Sequence, residues 1–266
     1  MTTHENLQPP ELVIVTGAGR GIGRNVALTM GKMGATVLCI SKSERAKDTA
    51  GMILAEGGRA DWFSVDLASS GETEHAVSKW IEGRSFGRIG LALAAATLGP
   101  AGSLVDTSLA AWDVTYRTNV LGNLEVAKAA LPTMLQARYG RMVFFAGGGA
   151  AYAYPAFPAY AASKAALVRA VENLNEDLKG AGDFAVVILA PGAVETDTLA
   201  EVKRHGGYVR TTVPIHEPVE FVAQFLCAKE CGFSGCFVHV RDSWKDCLNS
   251  SERLNAKDLW KLRRVE

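Results

Sequence analysis

The chain has 266 residues, 48% of them hydrophobic, enough to bury a sizeable core. Lysine plus arginine and aspartate plus glutamate both total 28, so no global field draws the chain to nucleic acid or to an anionic membrane. No run of about 18 uninterrupted apolar residues occurs, which argues against a transmembrane helix.

The start, Met1 to Glu11, is polar, carries two prolines and lacks the basic flank and apolar stretch of a secretory signal. It is expected to be a flexible arm over residues 1–11. Short apolar runs then recur at Leu12–Thr16, Thr36–Ile40, Ala60–Val65, Ile89–Ala95, Arg141–Ala146, Phe184–Ala190 and Gly235–Val240. Stretches with helical spacing, such as Gly21 to Met33, separate them. The first three runs are continuous in apolar residues or nearly so, as strands are when helices cover both faces of a parallel sheet. The expectation is a Rossmann-type doubly wound α/β fold with a seven-stranded parallel sheet, in one domain over residues 12–266, because no linker or composition break divides it. The segment from Glu195 to Glu217 interrupts the alternation with glycines, charges and a Thr-Thr-Val-Pro turn, and is expected to be a mobile lid over a pocket. Five cysteines, Cys39, Cys227, Cys231, Cys236 and Cys247, contain no CxxC pair, and His239 is the only histidine near the last four. They are taken as reduced structural thiols rather than a metal site, which implies a reducing, cytoplasmic compartment.

Thr16-Gly17-Ala18-Gly19-Arg20-Gly21-Ile22-Gly23 directly follows the first strand and opens a helix. Gly17 permits the strand-to-helix turn, Gly21 lets the backbone approach a pyrophosphate, and Gly23 lets the helix pack while its N-terminus faces the anion. The second strand ends Ile40-Ser41-Lys42-Ser43, without the acidic residue that accepts hydrogen bonds from the adenosine ribose of NAD. Small Ser41, with Lys42 and Arg20, suits a 2′-phosphate, so NADP(H) is preferred over NAD(H).

Together with Asp66 closing the third strand, Asn119, Tyr160-Ala-Ala-Ser-Lys164 and Pro191-Gly192-Ala193-Val194-Glu195-Thr196, this loop resembles the short-chain dehydrogenases/reductases. The resemblance implies that Tyr160 is the general acid or base, that Lys164 one helical turn on favours its phenolate and holds the nicotinamide ribose, and that Asn119 helps to position a proton-relay water. It places Asp66 and Leu67 at the adenine, Ala95 along the cofactor, and Pro191, Gly192, Val194 and Thr196 on the nicotinamide side. A homodimer or homotetramer through the helices holding Asn119 and Tyr160 is implied as well.

Two departures stand out. The fourth strand ends Ala94-Ala95-Ala96-Thr97 where the family has Asn-Asn-Ala-Gly, so two bracing amides are missing. Gly147 occupies the position of the serine thirteen residues before the tyrosine, and no serine or threonine lies between Arg141 and Tyr160. Tyr152, Tyr154, a backbone N–H of the run at Gly147 or a hydroxyl of the substrate could replace the lost donor. The expected activity is an NADP(H)-dependent oxidoreductase acting on a small carbonyl or alcohol, sugar- or polyol-like. The alternatives are a non-redox epimerase, dehydratase or cyclase using Tyr160 and Lys164, and a cofactor-binding partner or sensor. His239, Arg241, Asp242 and Trp244, after the last strand, suit either a hydroxylated or acidic ligand or a subunit interface.

Overall fold

The computed structural model describes residues 7–206, 209, 212–248 and 260–262. The strands are β1 (Leu12–Thr16), β2 (Thr36–Ser41), β3 (Arg59–Ser64), β4 (Ile89–Leu93), β5 (Tyr139–Phe145), β6 (Asp183–Ala190), β7 (Ala193–Val194), β8 (Thr212–Val213) and β9 (Cys236–His239). The helices are α1 (Gly21–Lys32), α2 (Arg45–Ala55), α3 (Glu72–Ile81), α4 (Leu109–Tyr116), α5 (Gly122–Ala137), α6 (Pro158–Asp177), α7 (Asp197–Arg204), α8 (His216–Cys227) and α9 (Trp244–Leu248). Seven strands form one parallel sheet in the order β3-β2-β1-β4-β5-β6-β9, the doubly wound arrangement expected. The winding reverses between β1 and β4, and the loops that follow these two strands flank the crevice where such sheets bind ligands.

Alternation along the strands divides the core in two. Val13, Val15, Val37 and Cys39 face one side, with Val26 and Met30 of α1 and Phe221 and Phe225 of α8. Leu12, Ile14, Leu38 and Ile40 face the other, with Val126 and Met134 of α5 and Leu167 and Val171 of α6. Sheet faces covered by helices explain the apolar runs. β3 corrects the expectation for the third run: it is an edge strand, with Arg59, Asp61 and Ser64 exposed between half-buried residues. β4 stops at Leu93, two residues short of the expected end, because the Ala95 N–H is taken by Thr16 Oγ1 and its carbonyl by Asn123 Nδ2.

The arm expected over residues 1–11 is fastened in its described part, and residues 1–6 lie outside it. Leu7 bridges to Ala228, the Gln8 N–H donates to the Cys227 carbonyl at 2.9 Å, and Arg88 donates to both the carbonyl and the side chain of Gln8 at 3.0 Å. At the other terminus, Trp260 stands edge-on to Phe233 and its carbonyl accepts from the Phe237 N–H at 2.6 Å, lining the free edge of β9. Among the described residues no helix is long and apolar enough to cross a membrane. None of the five cysteines forms a disulfide, and burial pushes the Cys39 and Cys227 thiols up to about 12.

Candidate active site

The glycine loop leaves β1 and turns at once into α1. Gly17 and Gly21 have φ of +67° and +55°, a region that disfavours residues with a Cβ. A Cβ on Gly17 would also stand 3.0 Å from the Ala95 amide nitrogen, so the loop lies hard against the end of β4. Gly23 is constrained more tightly still: its Cβ would meet the Gly17 carbonyl at 2.4 Å, so this glycine packs α1 on its own loop rather than on the sheet. Arg24 donates to the Gly19 carbonyl at 2.6 Å and Thr49 to the Ala18 carbonyl at 2.8 Å, which braces the turn from behind. The first turn of α1, opening at Gly21 and Ile22, has neither an acidic residue nor a side-chain cap. Its amides are left for an anion, which the helix dipole also favours.

The adenosine end differs from expectation in its charges. Lys42 pairs with Asp66 at 2.7 Å, and this bond holds the Asp66 carboxyl below its usual range against the opposing effect of burial. Arg20 reaches across the cleft to Asp197 on α7, so both expected phosphate-binding cations carry carboxylate partners. Ser41 donates to the Ser43 carbonyl. Arg45 was not anticipated. It opens α2 so close to the loop that a Cβ on Gly19 would lie 2.9 Å from its own Cβ, and it has no carboxylate partner among the described residues. Leu67 is buried under α5, whose Gly122 leaves no room for a Cβ beside the Leu67 carbonyl, 2.4 Å away.

The rigidity of the β4 end, in doubt after loss of two amides, is supplied from the helix side. Between α4 and α5 the chain makes a π-helical turn over Arg117–Leu121, where the expected continuous helix would run. Asn119, within this turn, is completely buried: its Oδ1 accepts from the Thr97 N–H at 2.8 Å, and its Nδ2 donates to the Thr97 carbonyl and to Ser163 Oγ, each at 2.9 Å. One turn on, Asn123 accepts from Thr16 Oγ1 at 2.9 Å and donates to the Ala95 carbonyl at 3.0 Å. The signal for Asn123 in the sequence was an amide at i,i+4 from Asn119, since a buried helix position tolerates an amide only where it is hydrogen-bonded.

Tyr160 and Lys164 lie on one face of α6 beneath the end of β5, with Lys164 Nζ 5.7 Å from the centre of the Tyr160 ring. Lys164 is 1% exposed and donates to the Phe145 carbonyl at 2.6 Å, and burial pushes its ammonium down to about 7. Burial, with Tyr154 nearby, pushes the Tyr160 phenol up to about 12. The ammonium therefore engages the strand end in this structure, and the phenol holds its proton. Gly147 lies directly above: an added Cβ would stand 2.8 Å from the Tyr160 hydroxyl oxygen. The tyrosine hydroxyl thus reaches into space that a side chain at position 147 would fill. Of the two candidate replacement phenols, Tyr154 stands with its ring 6.5 Å from that of Tyr160, whereas Tyr152 is 79% exposed, outside the cluster.

The segment Glu195–Glu217 is partly described; residues 207, 208, 210 and 211 lie outside the description. Gly192, with φ +74°, makes the turn into β7, whose Val194 pairs with Val213 of β8. Thr196 caps α7, its hydroxyl accepting from the Leu199 N–H and donating to the Val194 carbonyl. Pro191 precedes this turn, half-buried at the end of β6. Val202 of α7 packs with Leu98 and Phe157 in a small apolar cluster that also holds Tyr160. The residues after β9 serve this segment internally. Arg241 donates to the Thr212 carbonyl at 2.9 Å, Asp242 accepts from the His239 N–H at 2.7 Å, and Trp244 is buried in the core.

A family profile for short chain dehydrogenases matches residues 11–206, the span that contains the glycine loop, Asn119, Tyr160, Lys164 and Thr196. The chain belongs to the short-chain dehydrogenase family. It is 33% identical over 187 residues to a short chain dehydrogenase of Pseudocercospora fijiensis, a match covering 69% of this chain and 60% of that protein's length. It is 28% identical over 244 residues to an uncharacterized oxidoreductase of Thermotoga maritima, covering 86% of this chain and 95% of that one. The fold matches a short chain dehydrogenase from Escherichia coli CFT073, complexed with NADPH, at a TM-score of 0.78 and 22% identity, covering 90% of this chain and 100% of the other. Asn119 and Asn123 hold the chain after β4 by hydrogen bonds, and Tyr160 and Lys164 converge at the end of β5.

Proposed function

We propose that the protein is a nicotinamide-dependent oxidoreductase that interconverts a small carbonyl compound and its alcohol, with NADP(H) preferred and Tyr160 exchanging the proton. The convergence of the Tyr160 hydroxyl and Lys164 Nζ beside a side-chain-free cradle carries this reading. The fit to a dinucleotide rests on positive φ at Gly17 and Gly21, on uncapped amides at the start of α1, and on a buried ammonium at Lys164 with one hydrogen bond. When bound, the nicotinamide supplies or accepts the hydride.

The glycine loop would hold the diphosphate, with Ile22 and Gly23 offering amides to it, and Asp66, Leu67 and Ala95 would flank the rest of the nucleotide. Thr196 and the turn at Pro191 and Gly192 would border the nicotinamide end, with Val194 beside them. Lys164 is short of hydrogen bonds where it lies, so a ribose hydroxyl would satisfy it. A neutral Tyr160 is suited to give its proton to a carbonyl oxygen, and its phenolate to take the proton back from the alcohol. Preference for NADP(H) is supported by the absence of a carboxylate at the end of β2 and by Arg20, Lys42 and Arg45 near the loop; of these three, Arg45 has no carboxylate partner among the described residues. The segment 195–217 acts as a lid, with Arg20 and Asp197 joining it to the glycine loop.

Gly147 favours a second reading, proton transfer alone by an epimerase or dehydratase, since the usual polarising donor is gone. Cofactor consumption separates the two. The expected result is oxidation of NADPH with a carbonyl substrate, abolished in Tyr160→Phe while NADPH binding persists. Full activity in Tyr160→Phe would remove the tyrosine from the mechanism, and product without NADPH oxidation would favour the second reading.

A homodimer or homotetramer is proposed through α5 and α6; Leu121, in the turn before α5, and Leu135, on α5, stand exposed. Mass measurement in solution tests it, a monomer being the refuting result. Cysteines without disulfides suit a reducing, cytoplasmic setting.

A further inference from the structure

Beside the two cores on the faces of the sheet lies a third apolar cluster, and it surrounds Tyr160. Leu98 and Ala101 reach it from the loop after β4, Tyr154, Ala156 and Phe157 from the loop after β5, and Val202 and Val209 from the lid segment. Leu98, Phe157 and Val202 are buried. Gly147 removes the one side chain that would have placed a fixed hydroxyl here, and Gly148 beside it faces open space. In this arrangement the lid residues pack against the surroundings of the tyrosine directly. A substrate entering between them takes over contacts now made by hydrocarbon.

Among the described residues, charged groups of the lid lie in ion pairs. Lys203 pairs with Glu195, Arg204 and His205 with Glu201, and Asp197 with Arg20. His205 also touches the edge of the Phe157 ring, with ring centres 5.6 Å apart. Among the described residues, the polar groups inside the cluster are two phenols, which burial pushes up. Thr97, at its margin, is spent on Asn119 and the Gly99 N–H. The rim continues the pattern. Gly102 ties the loop after β4 to the Ala156 carbonyl at 3.0 Å, and exposed Leu104 and Val105 on that loop and Tyr152 on the other offer more apolar surface.

From this lining we infer that the substrate is an uncharged ketone or aldehyde carried on a hydrocarbon ring or branched chain, seated among Leu98, Phe157 and Val202, and not a sugar, polyol or sugar acid. The inference rests on the oxidoreductase reading above. Each hydroxyl of a ketose buried here without a partner costs roughly tenfold in affinity, and a carboxylate costs more, whereas a ring trades water for contact with hydrocarbon.

The test uses the full chain with NADPH and three probes: α-tetralone, fructose and 5-ketogluconate. The expected kcat/KM for α-tetralone exceeds that for either hydroxylated ketone by at least a hundredfold. Val202→Thr, which keeps the side-chain shape, should raise the KM for α-tetralone several-fold and leave NADPH affinity unchanged. Preferential reduction of fructose or 5-ketogluconate overturns the inference and leaves the oxidoreductase reading intact. If NADPH binds and none of the three is reduced, the oxidoreductase reading fails. The pocket is then judged by thermal shift: stabilisation by α-tetralone, absent with fructose and weakened in Val202→Thr, supports the apolar site, and equal or no shifts overturn it.

Discussion

Replacing Gly147 tests the most unusual feature of the site. Its backbone is extended, with φ −176° and ψ 175°, so alanine or serine meets no backbone strain and the effect is carried by the side chain. The new Cβ would lie 2.8 Å from the Tyr160 hydroxyl oxygen, about 0.6 Å inside ordinary contact, which begins at 3.4 Å. The phenol must retreat by about that much, against Phe157 and the rest of its cluster. Overpacking of this kind costs about 1–3 kcal/mol, a fall in Tm of roughly 2–10 °C for a domain of this size. A misplacement of about 1 Å in a reacting group costs on the order of 100-fold, so Gly147→Ala should lower kcat about tenfold. Gly147→Ser suffers the same collision but restores a donor, whose worth is on the order of 100- to 1000-fold where it meets the carbonyl oxygen. Serine should therefore exceed alanine by at least about tenfold in kcat, measured by NADPH absorbance under saturating substrate. An alanine variant with wild-type rate and Tm would show that the Tyr160 hydroxyl does not occupy the space over Gly147. Equal rates in the two variants would place the carbonyl elsewhere.

Three further outcomes follow from buried groups and from the cofactor cleft. Asn123→Ala strips partners from the Thr16 hydroxyl and the Ala95 carbonyl and should cost about 2–4 kcal/mol in denaturant unfolding; a change within about 0.5 kcal/mol would mean the β4 end is braced by other groups. Lys164, pushed from 10.5 down to about 7 by burial, lacks a proton in the folded chain that the unfolded chain still holds between those two values. Its contribution to the stability of the cofactor-free protein accordingly rises with pH through that window, by up to about 1.4 kcal/mol per unit. Lys164→Met should remove this slope relative to wild type, and parallel curves would argue that the ammonium is not desolvated. Arg45→Ala should weaken NADPH binding about 10- to 100-fold with little effect on NADH, more than Lys42→Ala or Arg20→Ala, whose cations already have carboxylate partners. An unchanged NADPH/NADH ratio in Arg45→Ala would exclude this residue from the 2′-phosphate site.

The sheet was legible because parallel strands covered by helices must be apolar on both faces, which leaves runs such as LVIVT and TVLCI in the chain. It became less legible wherever that condition lapsed. β3 lies at the edge and alternates, and β7 and β8 are two-residue strands held by a single register, too short to carry any period. The glycine loop was legible for a different reason: backbone conformation and close approach leave glycine few substitutes at Gly17 and Gly23. Charge partners were not legible, because Arg20 meets Asp197 across 177 residues and Lys42 meets Asp66 only once β2 and β3 are paired.

The active-site departures show the same limit more sharply. Alanines at positions 94 and 95 looked like lost rigidity, yet hydrogen bonds at the strand end go to main-chain atoms of Ala95 and Thr97, which any residue supplies, and the amides that meet them come from Asn119 and Asn123. Gly147 read in the sequence as a lost donor. It is also a vacancy thirteen residues from the side chain that exploits it, since the Tyr160 hydroxyl stands where a serine Cβ would press on it. A missing hydroxyl and a displaced phenol are thus one structural fact. On the proposed reaction a carbonyl would then depend on Tyr160 for both polarisation and proton, and the position of that ring, packed with Phe157, Tyr154 and Val202, would govern rate as well as substrate choice.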